Sequence, residues 1–318
     1  MKKVITILSV LFLFACTVEN KTTINEHINL IITPDLSNRI EDLYLKPVSD
    51  ITLITSIYNN YYPALYKIKN RVLGQEDVVQ FKFTNPSIIT DFKINLNNLR
   101  MDLSIMNPAE RIEFLANGGN KDMLKILDKE VNNLYVKAKQ NSTGGDLFNY
   151  FKSEITSTVI RRTENPIVMG GITVINKQRN IIVLLTDGYI EAGLYGEKNC
   201  RDKKCFYLSK KKVNQFRKDF LASGNNDLKD FFTKSGYGII PIKNKNLENT
   251  EVFVSEMYDR SLNRITGSQT VSPNDFEIMK LFWSDWFKKS GVKRHQLLDV
   301  ANSKEEFLFE LKNFIEEG

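Results

Sequence analysis

Three stretches of the chain put oxygen donors where an apolar run stops or a helical pattern begins. In NLIITPDLSNRI (Asn29 to Ile40), mostly apolar residues lead straight into Asp35, Leu36 and Ser37. Ser142-Thr143-Gly144 precedes a helical pattern, and NIIVLLTDG (Asn180 to Gly188) ends in Thr186-Asp187-Gly188. Carboxylates and hydroxyls with no nitrogen or sulfur beside them suit a hard cation such as Mg²⁺, Mn²⁺ or Ca²⁺. The two histidines, His27 and His295, sit in no motif. The plain alternative is that Asp35 and Ser37 only cap the following segment, as these residue types often do. That accounts for one stretch and not for three.

Positioning such donors needs strands that end on the same side. Ile28 to Thr33 reads as a strand buried on both faces, the mark of a parallel sheet. Asp77 to Thr84 alternates as a second strand, and Lys93 to Leu103 reads as an edge strand or hairpin. Asn180 to Gly188, GYGIIPI and TEVFVSEM supply further strands. Helical periodicity covers Val48 to Leu73 (broken at Pro63), a segment from Pro108 to a Gly118-Gly119 stop, and Lys121 to Gln140. It returns at Asp146 to Thr158, Lys210 to Lys234, Pro273 to Lys289 and Ser303 to Glu317. The aromatic stripe Phe282, Trp283, Trp286 and Phe287 reads as helix core. Strand and helix alternate with no internal repeat and no Pro/Ser linker. The expected fold is therefore a doubly wound α/β domain, with a mostly parallel sheet, helices on both faces and one antiparallel edge strand or hairpin. Ligands of such sheets bind outside the carboxyl ends of the strands.

An apolar strand ending D-x-S-x-S, a later lone threonine and a strand ending T-D-G resemble the von Willebrand factor type A domains. The match runs through Asp35, Ser37, Thr143 and Asp187 in the family's chain order. The resemblance implies a metal-ion-dependent adhesion site. Ser37 and Thr143 hydroxyls would touch the cation, Asp35 and Asp187 would hold it mostly through water, and a partner protein's acidic side chain would complete the octahedron. The family's second serine falls at position 39, where this chain has arginine, which cannot ligate a cation. Three outcomes stay open. Asn38, Ser142 or water fills the vacant place. Arg39 neutralises Asp35 and Asp187 without metal. Arg39 points outward, beside Asn38, and grips a partner's carboxylate in bidentate fashion.

At the amino terminus, Lys2 and Lys3 precede an apolar run from Val4 to Ala15, too short to span a bilayer. It ends in Leu13-Phe14-Ala15-Cys16, which resembles a bacterial lipobox. That resemblance implies cleavage before Cys16, lipid on Cys16 and an envelope protein held on one membrane face. Residues 1–15 are then a signal, 16–27 a lipidated tether, and 28–318 the domain, with insertions at 85–140 and 190–207. An exported context makes a disulfide between Cys200 and Cys205 the expected use of the remaining cysteines. Half of a zinc site is the competing reading, but no second pair completes it.

A formal net charge of +6 over 318 residues is too slight to argue for nucleic acid. There is no G-x-S-x-G elbow, no phosphate loop, and no G-x-G-x-x-G after the first strand. A metal-dependent phosphatase of the haloacid-dehalogenase type also places an aspartate after its first strand. It needs a second acid two residues on, where this chain has Ser37. The expectation is a non-enzymatic binding module for a protein partner, with that hydrolase or a metal-free scaffold as alternatives.

Overall fold

The computed structural model describes residues 21–41, 46–71, 74–141, 144–191, 200–263 and 265–318. The strands are β1 (Lys21–Pro34), β2 (Val78–Phe81), β3 (Met101–Asp102), β4 (Ile167–Met169), β5 (Ile172–Leu185), β6 (Cys200–Arg201), β7 (Lys204–Cys205), β8 (Gly238–Ile239), β9 (Thr250–Met257) and β10 (Arg294–Asp299). The helices are α1 (Asp50–Asn59), α2 (Ser87–Asp91), α3 (Pro108–Ala116), α4 (Lys121–Gln140), α5 (Leu147–Asn149), α6 (Lys210–Ala222), α7 (Leu228–Ser235), α8 (Asp275–Lys289) and α9 (Lys304–Glu317).

The main sheet runs β10-β9-β5-β1-β2-β3. Its central pairings are parallel, while β3 joins β2 and β4 joins β5 antiparallel. The expected fold class is the one observed. Alternation along the central strands feeds two cores. Leu30 and Ile32 of β1, Ile181 and Val183 of β5 and Phe253 of β9 pack with α1, α4 and α9. Ile31, Ile182, Leu184, Val252 and Val254 face the other way, against α6 and α8. There Phe282, Trp283, Trp286 and Phe287 are buried, so the aromatic stripe is core. Capping boxes start α3 at Asn107 with Glu110 and α8 at Asn274 with Glu277.

Several boundaries move. β1 begins at Lys21, so residues 21–27 are paired strand and not free tether. β5 begins at Ile172, and the two polar extensions pair along their whole length. Glu26 bonds Lys177 and Arg179 at 3.0 Å each, so ion pairs stand where apolar periodicity was sought. The expected helix at Asp146 to Thr158 shrinks to α5 and one wide turn, Tyr150–Glu154. That turn brings both Phe148 and Phe151 onto Trp286. The Lys93 to Leu103 stretch is a 3₁₀ turn followed by the two-residue β3. GYGIIPI supplies β8, which joins β6 and β7 in a separate small sheet. Cys200 and Cys205 are disulfide-bonded across the β6–β7 hairpin. Cys16 and the signal lie outside the described residues.

Candidate functional site

The strand order is that of doubly wound sheets, and β1 is where it reverses, flanked by β2 on one side and β5 on the other. A crevice opens at the carboxyl ends of strands at such a switch point. The backbone holds the strand ends together there. Asp35 N donates to Leu185 O (2.9 Å), Thr186 N to Ser255 O (3.1 Å), and Tyr258 N to Asp187 O (3.0 Å). Gly188 makes the turn after β5 at φ +86°, and a Cβ there would lie 2.8 Å from Met257 Cε.

Asp35, Ser37, Asn38, Gly145, Asp187 and Arg260 line one polar cavity of about 230 Å³ in this crevice. The two aspartates expected to converge therefore do so, with Ser37 and Asn38 beside them. Thr143 and Ser142 lie outside the described residues, although the adjoining Gly144 and Gly145 reach the cavity wall. Gly145 leaves little room for a side chain. A Cβ would sit 2.8 Å from Asp35 Oδ1 and 2.9 Å from Thr84 Oγ1.

Both carboxylates find their donors within the protein. Asp35 Oδ1 accepts from Ser37 N (3.1 Å) and Oδ2 from the Thr186 hydroxyl (2.9 Å). Asp187 Oδ1 accepts from Tyr189 N (3.1 Å), and Oδ2 from Arg260 Nη2 (2.6 Å). Arg260 also bonds Glu191 at 2.8 Å and lies over the Tyr189 ring at 4.1 Å. Burial still pushes the Asp187 carboxyl up, against the pull of Arg260.

Arg39 turns inward. Its side chain is 4% exposed, which rules out the outward grip on a partner's carboxylate. Nε donates to Asp35 O (2.9 Å), and Nη2 to Asp50 Oδ2 (2.7 Å) and Leu185 O (2.5 Å). Nη1 is buried without a hydrogen-bond partner. Burial disfavours the guanidinium, yet Asp50 and Asp35 override it and raise its pKa. Asp50 also receives Lys46 and the Tyr135 hydroxyl, and Lys46 reaches Glu256 at 3.4 Å. Of the three outcomes foreseen for Arg39, none is met in full: its ion-pair partner is Asp50, Asp35 lies at 3.9 Å, and Asp187 is paired by Arg260 instead.

The described donors, which do not include Thr143, already carry protein partners. Each carboxylate oxygen of Asp35 and Asp187 accepts a protein hydrogen bond, that on Asp187 Oδ2 coming from the Arg260 guanidinium. Among the described residues no group of three or more His, Cys, Asp or Glu side chains is placed to hold a metal.

Residue patterns had pointed to neither Asp50, Lys46, Glu256, Thr84 nor Arg260. A signal existed for two of them. Glu256 and Arg260 fall at the end of the apolar run TEVFV and just past it, as Asp35 follows NLIIT. Glu256 is buried and adopts φ +74°, a conformation that bulky residues hold only where their surroundings force it.

No protein-family model and no curated protein matches the chain. Among solved structures, the chain superposes on the pilus adhesin SpaC of Lactobacillus rhamnosus GG with a TM-score of 0.35 at 10% identity. The overlap covers 92% of this chain and 30% of the adhesin. So loose a superposition transfers no role.

Proposed function

We propose that the chain is an envelope-held binding module of von Willebrand factor type A character. It engages a protein partner at the switch-point crevice and does so without a divalent ion, its own guanidiniums supplying the positive charge. The observation that carries the reading is the convergence of Asp35, Ser37, Asn38 and Asp187 on one cavity at the carboxyl ends of β1 and β5. Buried ion pairs are poor devices for stability, since well-packed apolar groups do as well, so a costly cluster at a ligand-binding position favours a functional role.

A hydrolase reading has less support. A general acid or nucleophile needs a carboxyl free to exchange a proton or attack, and Asp35 and Asp187 are both held by protein donors. Anchoring rests on the lipobox resemblance at Cys16. Among the described residues no helix is long and apolar enough to cross a membrane.

The test is retention of a partner from envelope membranes on immobilised mature protein. Ser37→Phe plugs the cavity mouth and leaves the ion pairs untouched, and it should abolish retention. Lys125→Ala, on the exposed face of α4, should change nothing. Equal retention by Ser37→Phe and wild type would sink the reading.

A further inference from the structure

The segment that leaves β9 separates two cavities. Arg260 faces the crevice, while its neighbour Asp259 lines a second cavity of about 520 Å³ at the ends of β9 and β10. That size lies within the roughly 300–1,000 Å³ of ligand sites. Met257, Leu262, Phe276 and Val300 give it apolar walls, and Asp259 and Asp299 give it two acids. Asp259 is 7% exposed. Its Oδ1 accepts from Ser261 N (2.7 Å) and from the Ser261 hydroxyl. Its Oδ2 is buried with no hydrogen-bond partner. Asp299 is exposed at the end of β10. A buried carboxylate with one bare oxygen lacks a cation or donor.

The adjoining crevice shows the same imbalance. Among the described residues, Asp35, Asp50, Asp187, Glu191 and Glu256 pair with Arg39, Lys46 and Arg260. Burial pushes the carboxyls of Asp187 and Glu256 up, and the neighbouring acids Asp35 and Asp50 push the same way. Lys280 lies over the Phe276 ring at 5.1 Å, and no ion pair or hydrogen bond takes it to Asp259 or Asp299.

We infer that the second cavity receives a long basic side chain, lysine or arginine, from the protein partner, its methylene stem against Met257, Leu262, Phe276 and Val300 and its charged head toward Asp299 and Asp259. Such side chains bury an apolar stem and carry their charge at the tip, which matches apolar walls with an acidic end. This reverses the acidic partner group that the family resemblance implies. It rests on the reading of this sheet end as a binding surface, and deepens it by naming the partner's chemistry.

The probe is a short glycine-flanked arginine peptide, with a citrulline peptide of the same shape and no charge as control. Methyl-labelled mature protein reports through Leu262, Ile265 and Val300. The arginine peptide should shift these methyls saturably and the citrulline peptide should not. Asp299→Asn, at the exposed mouth, should weaken the arginine peptide at least threefold, and Asp259→Asn at least tenfold with an unchanged methyl spectrum before titration. Equal binding of both peptides, or no shift at these methyls, overturns the inference. If the arginine peptide fails while Ser37→Phe still loses the envelope partner, the inference falls and the binding-module reading stands. If Ser37→Phe keeps the partner, that reading falls first.

Discussion

Replacing Arg39 by methionine removes a buried charge and keeps most of the volume. The guanidinium is the closest cation to Asp50 after Lys46 and caps two carbonyls, Asp35 O and Leu185 O. Removing one member of a buried ion pair costs about 3–5 kcal/mol, because the other charge is left uncompensated. Asp50 would keep Lys46 and the Tyr135 hydroxyl, so the expected loss lies near the lower end, about 3 kcal/mol. At about 2–4 °C per kcal/mol that is a fall in Tm of about 6–12 °C. The pH dependence separates lost charge from lost packing. Burial alone would raise the Asp50 carboxyl, but Arg39 and Lys46 override it and hold it below the ordinary 3.8. Its contribution to stability is therefore present above that value and lost as pH falls through the folded pKa. In Arg39→Met the carboxyl moves upward and takes a proton sooner. The gap between variant and wild type should shrink as pH drops from 7 toward 4. Calorimetric melting across that range measures it. A loss under 1 kcal/mol at pH 7, or a gap that widens in acid, would refute the role given to Arg39.

Gly145→Ala should destabilise by about 1–3 kcal/mol through crowding of Asp35 and Thr84, and should abolish partner retention; unchanged melting and retention would contradict the close approach seen there. Reducing the Cys200–Cys205 bond opens a small loop, worth about 2 kcal/mol of chain entropy, and should lower Tm without altering retention; free thiols at both positions in protein taken from the envelope would count against the bond. Mass spectrometry of the mature protein should find a lipidated Cys16 as first residue, and an unmodified Met1 would end the anchoring proposal.

The fold was legible because the central strands are apolar on both faces and end on acids or hydroxyls. Asp35 and Asp187 could be placed together for that reason alone, given the topology of a doubly wound sheet. The polar halves of β1 and β5 were not legible, since their pairing rests on Glu26, Lys177 and Arg179, which carry no apolar period. Nor was the inward turn of Arg39. Its partner Asp50 lies at the start of α1, a register that only the packed structure sets. Arg260 was within reach, had the end of TEVFVSEM been read for chemistry as the other strand ends were.

The central claim is that the crevice binds its partner with built-in cations. The direct measurement is partner retention from envelope membranes in excess EDTA against millimolar Mg²⁺, at fixed ionic strength. Equal retention in both buffers is the expected result. Loss of the partner in EDTA, restored by Mg²⁺ or Mn²⁺, would show that a metal completes the site and that Arg260 gives way to it.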